Sequence, residues 1–399
     1  TLADVAIDAA VRLHHRALAA DFGEPVGAES SAPQALVVVG MGKLGGAELN
    51  VSSDVDLVFL YAEDGDTDGP RPLSNREFFE RLGRRVIASL HEVTADGFVF
   101  RVDMRLRPYG ESGPLAVPFS ALEQYLITQG RTWERYAWLK ARAITGAADA
   151  ALAELVTPFV FRKYLDYDAY AGLRDVHRQI REQGARRDYA GNVKLGEGGI
   201  REVEFVVQAL QIVRGGREPA LRVRGTLPAL LAIEQRGLLP QGTVPMLRDA
   251  YVHLRNVEHR LQYRDDQQTQ SLPLDDDERA LLAEATGAKD TAAFDHALAA
   301  TRREVSRQFS SVLGEAPGER SDSALTRAWN APDAEGSSAA LAAAGYRDPD
   351  ALLGRLRAVQ AHPRYLQLPS VSRDRFDALV PQLLEAAAQT AGDALDPQD

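Results

Sequence analysis

The chain has 399 residues, 45% hydrophobic and 26% charged, with no cysteine and a net charge of −11. That length predicts two or more domains with an ample core, and the missing cysteines exclude disulfides and thiolate metal sites. The acidic balance argues against a binder of long nucleic acids, which usually presents a basic field, and no apolar run is long enough to span a membrane.

The chain opens on Thr1 and not on Met, which points to a fragment, and no signal peptide is visible. Residues 1–22 read as a helix, with Val5, Ile7, Val11, Leu13 and Leu18 spaced among charges. "GEPVGAESSAPQ", 23–34, reads as a loop by its Gly, Pro and Ser content. "ALVVVGMGKLGGAELNVSSDVDLVFLY", 35–61, reads as strand, glycine turn, short link and strand. The acidic stretch 63–75 follows, and Ser74 or Asn75 is placed to cap the next helix. "GFVFRVDMRLRPYGESGPLAV", 97–117, reads as a strand and a structured loop. From about 118 the apolar residues recur at threes and fours, as in "DAALAELVTPFVFRKYL" and "TVPMLRDAYVHLRNVEHRLQY", and no strand is expected after about 145. "GEAPGERSDSA", 314–324, reads as a hinge, 325–391 as short Ala-rich helices, and the last residues as a frayed tail. The expected organisation is an N-terminal helical segment and loop (1–34), a mixed α/β catalytic domain (35–150), a helical bundle (151–315), and a hinge leading into further helices (316–399).

The chemistry is concentrated in the α/β part. Asp54 and Asp56 precede a buried strand, and residues i and i+2 of a strand share a face. Two carboxylates side by side repel, which raises one pKa; a divalent cation between them removes the conflict, and hard oxygen ligands suit Mg²⁺. Capping the strand entry is the plainer role for such a short motif. "FVFRVDMRLR", 98–107, alternates without a break and predicts a half-buried strand. One face would carry Arg101, Asp103, Arg105 and Arg107: a solvated edge, or a third carboxylate with arginines that cradle a metal-bound phosphate. "GMGKLGG", 40–46, offers glycines that let backbone approach a phosphate, with Lys43 beside them. Glycine turn, D-x-D and a later Asp are the parts that two-metal nucleotidyl transfer needs. Gly40, Gly42 and Gly45 with Glu63 also spell a dinucleotide fingerprint, but "GAELNVSS" is too short for the helix that motif requires. No P-loop sequence occurs.

"GMGKLGGAELNVSSDVDLVF", "RVDMRLRPYGESGPL" and "KLGEGGIREVEFVVQ" together resemble the bifunctional glutamine synthetase adenylyltransferase/adenylyl-removing enzymes, within the DNA polymerase β-like nucleotidyltransferase superfamily. The resemblance covers about residues 35–315. It implies an α+β fold: a polymerase β-like domain with a small mixed sheet, followed by a helical bundle. Enzymes of this family carry two such units, one removing AMP from a tyrosine of glutamine synthetase by phosphorolysis, the other attaching AMP from ATP. "NVSSD", "GESGPL" and "GIREVEF" look like the removing unit. The resemblance implies that Asp54, Asp56 and Asp103 are catalytic and hold Mg²⁺, two ions being expected. It assigns phosphate and nucleotide (ADP or ATP) contacts to Lys43, Gly45, Gly46, Ser53, Arg105 and Arg107. It also raises a functional role for Lys194, Arg201 and Glu204, beside a structural one in docking the bundle. The three glycines at 196, 198 and 199 precede a helix whose N-terminus could hold an anion.

The expected partners are adenylylated glutamine synthetase and the PII signal protein, with no nucleic acid or membrane, in a monomeric cytoplasmic fragment. The ATP-using half and a non-catalytic PII-binding module are the alternatives. His14, His15, His177, His253 and His259 show no metal spacing, and in "TWERYAWLKAR", 132–142, the aromatics read as core, with Lys140 and Arg142 facing the site.

Overall fold

A computed structural model describes residues 1–161, 189, 191–264, 267–313, 324–334 and 336–368, with a discontinuous set between 372 and 388. The chain forms two compact units, Thr1–Leu313 and Gly314–Asp399. The expected hinge at 314–324, the tail, and the continuation of the helix beyond Phe161 lie essentially outside the described residues.

In the first unit, helix α1 (Leu2–Phe22) leads through β1 (Pro25–Gly27) to β2 (Val37–Gly40), the one-turn α2 (Gly42–Gly45) and β3 (Val55–Tyr61). Next come β4 (Gly65–Thr67), α3 (Asn75–His91), β5 (Val102–Asp103), β6 (Ala116–Pro118), α4 (Phe119–Thr128), α5 (Thr132–Leu139), β7 (Arg142–Ala143) and α6 (Asp149–Val160). Ser74 caps α3, its side chain accepting from the Glu77 amide at 3.2 Å.

The central sheet runs β5–β3–β2–β7, with β6 also on β3. Strands β2 and β3 are antiparallel, whereas β5 and β6 lie parallel to β3. Alternation along β3 decides what each face buries. Val55, Leu57, Phe59 and Tyr61 pack with Ile7, Val11 and Leu18 of α1 and Phe78, Phe79, Leu82 and Val86 of α3. Val58 and Leu60 meet Leu122, Trp138, Leu152 and Val156 of α4–α6. This is the expected α+β arrangement of a small mixed sheet with helices.

The expected strand over 98–107 shrinks to Val102–Asp103. Before Val102 the Val99 and Phe100 amides bond the Leu90 carbonyl at the end of α3 instead of a strand, and after Asp103 there is competition for one edge. β6 pairs with Phe59–Tyr61 on the side of β3 that β5 uses at Val55–Asp56, so the chain must leave after Asp103 and return at Ala116. Arg107 fixes the detour by donating to the carbonyls of Met104 (2.9 Å) and Glu111 (3.1 Å).

The helices α7 (Ile200–Arg214), α8 (Thr226–Gln235), α9 (Thr243–Tyr263), α10 (Asp276–Ala285) and α11 (Thr291–Leu313) enclose their own core of Val203, Val206, Ile233, Leu247, Leu254, Val257, Phe294 and Val305. Among the described residues no strand follows Ala143, and no helix is long and apolar enough to cross a membrane. The second unit is a small helical array: α12 (Ala324–Asn330), α13 (Ser337–Ala343), α14 (Pro349–Ala361) and α15 (Pro363–Leu366), packed around Trp329, Leu341 and Leu353.

Candidate active site

The register of the sheet assembles the acidic group. Strand β5 joins β3 in parallel with Asp56 directly opposite Asp103, and Asp54 lies two residues before Asp56. Neighbouring strands run about 4.8 Å apart, so three carboxylates from two segments share one corner of the sheet.

Each is treated differently by its surroundings. Arg101 Nε donates to Asp54 Oδ1 at 2.9 Å, and its other arm reaches the Ser52 carbonyl at 2.6 Å and hydroxyl at 2.9 Å. Arg105 Nε donates to Asp103 Oδ2 at 2.8 Å. Partial burial opposes ionisation of Asp103, but the hydrogen bonds from Arg105 outweigh it and hold this carboxyl below its usual range. The Asp56 side chain makes no hydrogen bond among the described residues. Burial first, then repulsion from Asp103 and Asp54, pushes its pKa up to about 6, against the pull of Lys194 and Arg105. The corner thus carries one carboxylate more than its arginines neutralise.

Among the described residues no three acidic or histidine side chains form a ready metal cage. The donor set nevertheless suits a hard divalent cation: all-oxygen ligands, with a carboxyl that resists ionising because it is buried beside two other carboxylates, more than Lys194 and Arg105 offset.

The glycine turn acts differently from the expected phosphate cradle. A Cβ on Gly42, whose φ is +51°, would stand 2.6 Å from Asp56 Oδ2. A Cβ on Gly45 would meet the Lys140 carbonyl at 2.0 Å and that of Gly40 at 2.5 Å, and one on Gly46 would meet Glu48 Oε2 at 3.0 Å. Gly45 and Gly46 therefore permit close packing on neighbouring backbone and side chains, while Gly42 is the glycine that faces Asp56. Gly42→Ala should lower turnover at least about tenfold, through displaced Asp56 and the cost of φ > 0. Steady-state kinetics on folded protein measures it; unchanged turnover would remove Gly42 from the site.

Lys43 points into the helices. Its ammonium donates to Glu258 Oε1 at 2.8 Å, and Glu258 is fully buried on α9. Burial lowers the Lys43 pKa to about 8, even though Glu258 supports the charge. Lys194 has no ion pair among the described residues, and its charge acts on Asp56, Lys43 and Glu204. It is the cation that the "KLGEGGIREVEF" segment brings to the carboxylates. Glu204 instead meets Lys140 at 3.0 Å, and Lys140 also donates to Glu48 Oε2 at 2.8 Å. Burial works against the Glu204 charge, but Lys140 holds its pKa below the usual range. Arg201 is partly buried and feels Glu204 and Tyr189. Arg142 donates to Asp4 Oδ1 at 2.9 Å and to the Leu44 carbonyl of the glycine turn at 3.1 Å.

Two further expectations are corrected. Arg107 makes its hydrogen bonds to the carbonyls of its own loop, so it acts on Asp103 through its charge alone and not by a direct contact like that of Arg105. The start of α7 offers no open anion site: the Ile200, Arg201 and Glu202 amides bond the carbonyls of Val193, Lys194 and Gly199. The glycines at 196 and 198 serve close approach to Arg302 of α11. Ser53 lines a cavity of about 280 Å³ with Ser52, Asp96, Phe98 and Arg101, next to Asp54.

Arg101, Glu48, Arg255 and Glu258 were not singled out for these roles by sequence reasoning. For Glu258 a signal existed: it shares the buried stripe of α9 with Tyr251, Leu254 and Leu261, where an acid requires a partner. His177 lies outside the described residues. His253 and His259 bond Thr301 and Asn50, and His14 bonds Ser89.

Residues 1–156 match the family model of glutamate-ammonia ligase adenylyltransferase, and residues 174–313 match that of GlnD PII-uridylyltransferase. Curated relatives named bifunctional glutamine synthetase adenylyltransferase/adenylyl-removing enzyme align over nearly the whole chain. That of Chromobacterium violaceum is 52% identical over 368 residues, covering 92% of this chain and 41% of the relative. That of Aromatoleum aromaticum is 49% identical over 392 residues (98% and 42%), and that of Ralstonia nicotianae 48% over 421 residues (98% and 44%). The chain therefore spans about two fifths of the length of these relatives.

Proposed function

We propose, for a chain homologous over nearly its whole length with the bifunctional glutamine synthetase adenylyltransferase/adenylyl-removing enzymes, that it is the unit that removes AMP. Its substrate on this reading is glutamine synthetase carrying AMP on a tyrosine, and the PII signal protein is its regulator. The observation that carries the reading is the parallel register placing Asp56 opposite Asp103, beside Asp54 and within the field of Lys194. The motifs "NVSSD", "GESGPL" and "GIREVEF" favour removal over attachment.

The reaction is a phosphorolysis. An oxygen of inorganic phosphate attacks the α-phosphorus of tyrosyl-AMP in line, the bond from phosphorus to the tyrosyl oxygen breaks, and the products are ADP and glutamine synthetase with its tyrosine side chain unmodified. Phosphate is already an anion at neutral pH, so no strong base is needed. The leaving tyrosinate has an intrinsic pKa of about 10 and takes up the proton that the attacking phosphate gives up. Asp54, Asp56 and Asp103 would hold Mg²⁺, which supplies charge stabilisation to such displacements when bound. Lys194 and Arg105 are cations placed to orient phosphate oxygens. Arg101, which braces Asp54 and Ser52, fixes the entry of β3.

Lys194→Met should raise KM for phosphate at least about tenfold, the order expected for one charged contact. The thermal unfolding midpoint should stay close to that of the parent. An unchanged KM would move the phosphate elsewhere. Offering modified and unmodified glutamine synthetase in parallel tests the choice of unit. Release of nucleotide from the modified form is expected, and transfer from ATP onto the unmodified form would mean the attaching unit.

A further inference from the structure

Helix α9 grips the loop that carries the glycine turn into β3 at three points. Glu258 takes the Lys43 ammonium at 2.8 Å. Arg255 donates to the Glu48 carbonyl at 2.6 Å and to Glu258 at 2.9 Å. His259 pairs with Asn50 Oδ1 at 3.0 Å. The gripped residues bracket a segment whose own backbone is demanding, since Ala47 sits at φ +57°. At its two ends stand contacts to the carboxylates proposed to hold the metal: Gly42 against Asp56, and Ser52 braced by Arg101, which also holds Asp54.

We infer that Glu258 is a positioning residue. Through Lys43, and with Arg255 and His259, it holds the 43–50 loop so that the carboxylates keep their working geometry. The effect on turnover rests on the proposed reaction; the hold on the loop does not. A buried acid 215 residues away in sequence thereby makes α9 part of the site. Lys43 on this account is a tether and not a phosphate ligand. A shift of α9 would reach the reacting groups through three polar contacts on one helix face. Small misplacements of reacting groups cost about a hundredfold in rate, so the tether matters to turnover beyond its share in stability.

The test compares Glu258→Gln, Lys43→Met and the double variant by two readouts, at a temperature where circular dichroism shows each folded. The first is amide hydrogen exchange of peptides covering 41–54, where the Gly45, Glu48 and Ser53 amides bond within the loop. The second is kcat and KM for phosphate-dependent nucleotide release. Both single variants should exchange this loop at least about tenfold faster and lose at least about tenfold in kcat with KM for phosphate little changed. The double variant should be no worse than either, because both act through one contact. Unchanged exchange overturns the inference. So does faster exchange with undiminished kcat, or losses that multiply in the double variant. Should Glu258→Gln not fold, His259→Ala keeps the ion pairs and, of the loop contacts, releases only Asn50, at the cost of a ring contact with Tyr263 outside the loop. It should show the same two effects at smaller size, and its silence in both counts against the inference. Exchange reads the loop whatever reaction the chain performs. A parent chain that releases no nucleotide contradicts the proposed function, while unprotected or unaltered loop amides contradict the tether.

Discussion

Asp56→Asn is expected to reduce phosphate-dependent nucleotide release at least about 10³-fold, the scale on which charge-stabilising groups act in such sites. The same substitution should make the metal-free chain more resistant to heat at pH 7.5. The sign follows from linkage. In the folded chain burial and two neighbouring carboxylates raise the Asp56 pKa from 3.8 to about 6, so the folded state binds more protons than the unfolded state between those values. Ionised Asp56 therefore costs stability, fully above about pH 6 and not at all below about pH 4. The gain from asparagine should fade as the pH falls through that window. Retained activity, or a thermal gain independent of pH, would contradict the assignment. Loss of activity joined to a gain in stability is the mark of a residue kept for function.

Lys140→Met should lower the unfolding free energy by about 3–5 kcal/mol, the cost of leaving a buried ion pair without one partner. For a unit of this size that is a fall in the midpoint on the order of 10 °C. Lys140 has a side chain only 6% exposed and is shared by Glu48 at 2.8 Å and Glu204 at 3.0 Å. Burial disfavours its charge, but Glu204 and Glu48 together hold its pKa well above the usual lysine range. Its removal strands two acids at the meeting of the glycine turn, α5 and α7. Adding Glu204→Gln should recover part of the loss by relieving one of them. Thermal unfolding of the single and double variants measures both effects. A Lys140→Met chain as stable as the parent would mean that water or another cation already serves these acids.

Much of this site was readable from local pattern. The D-x-D before an apolar run, the glycine turn ten residues upstream and the acid in "RVDMRLRP" each depend on near neighbours, and alternation put Asp54 and Asp56 on one face. The capping serine of α3 and, among the described residues, the end of strand structure near residue 145 were readable for the same reason. Two kinds of fact were not. One is competition between segments: nothing in "FVFRVDMRLR" shows that β6 takes the rest of the β3 edge and ends β5 at Asp103. The other is the partner chosen by a charge. Lys43 could face a phosphate or a buried acid, and only the packing of α9 against the turn commits it to Glu258. Arg107 likewise alternates with Arg105 in the sequence but folds back onto the carbonyls of its own loop.

The central claim is that the carboxylate corner built on β3 and β5 transfers AMP from protein to phosphate. Its most direct measurement is the identity of the nucleotide released when the chain meets AMP-modified glutamine synthetase and Mg²⁺, with and without inorganic phosphate. ADP appearing only when phosphate is present is the predicted result. AMP appearing without phosphate would mean hydrolysis and would contradict the account.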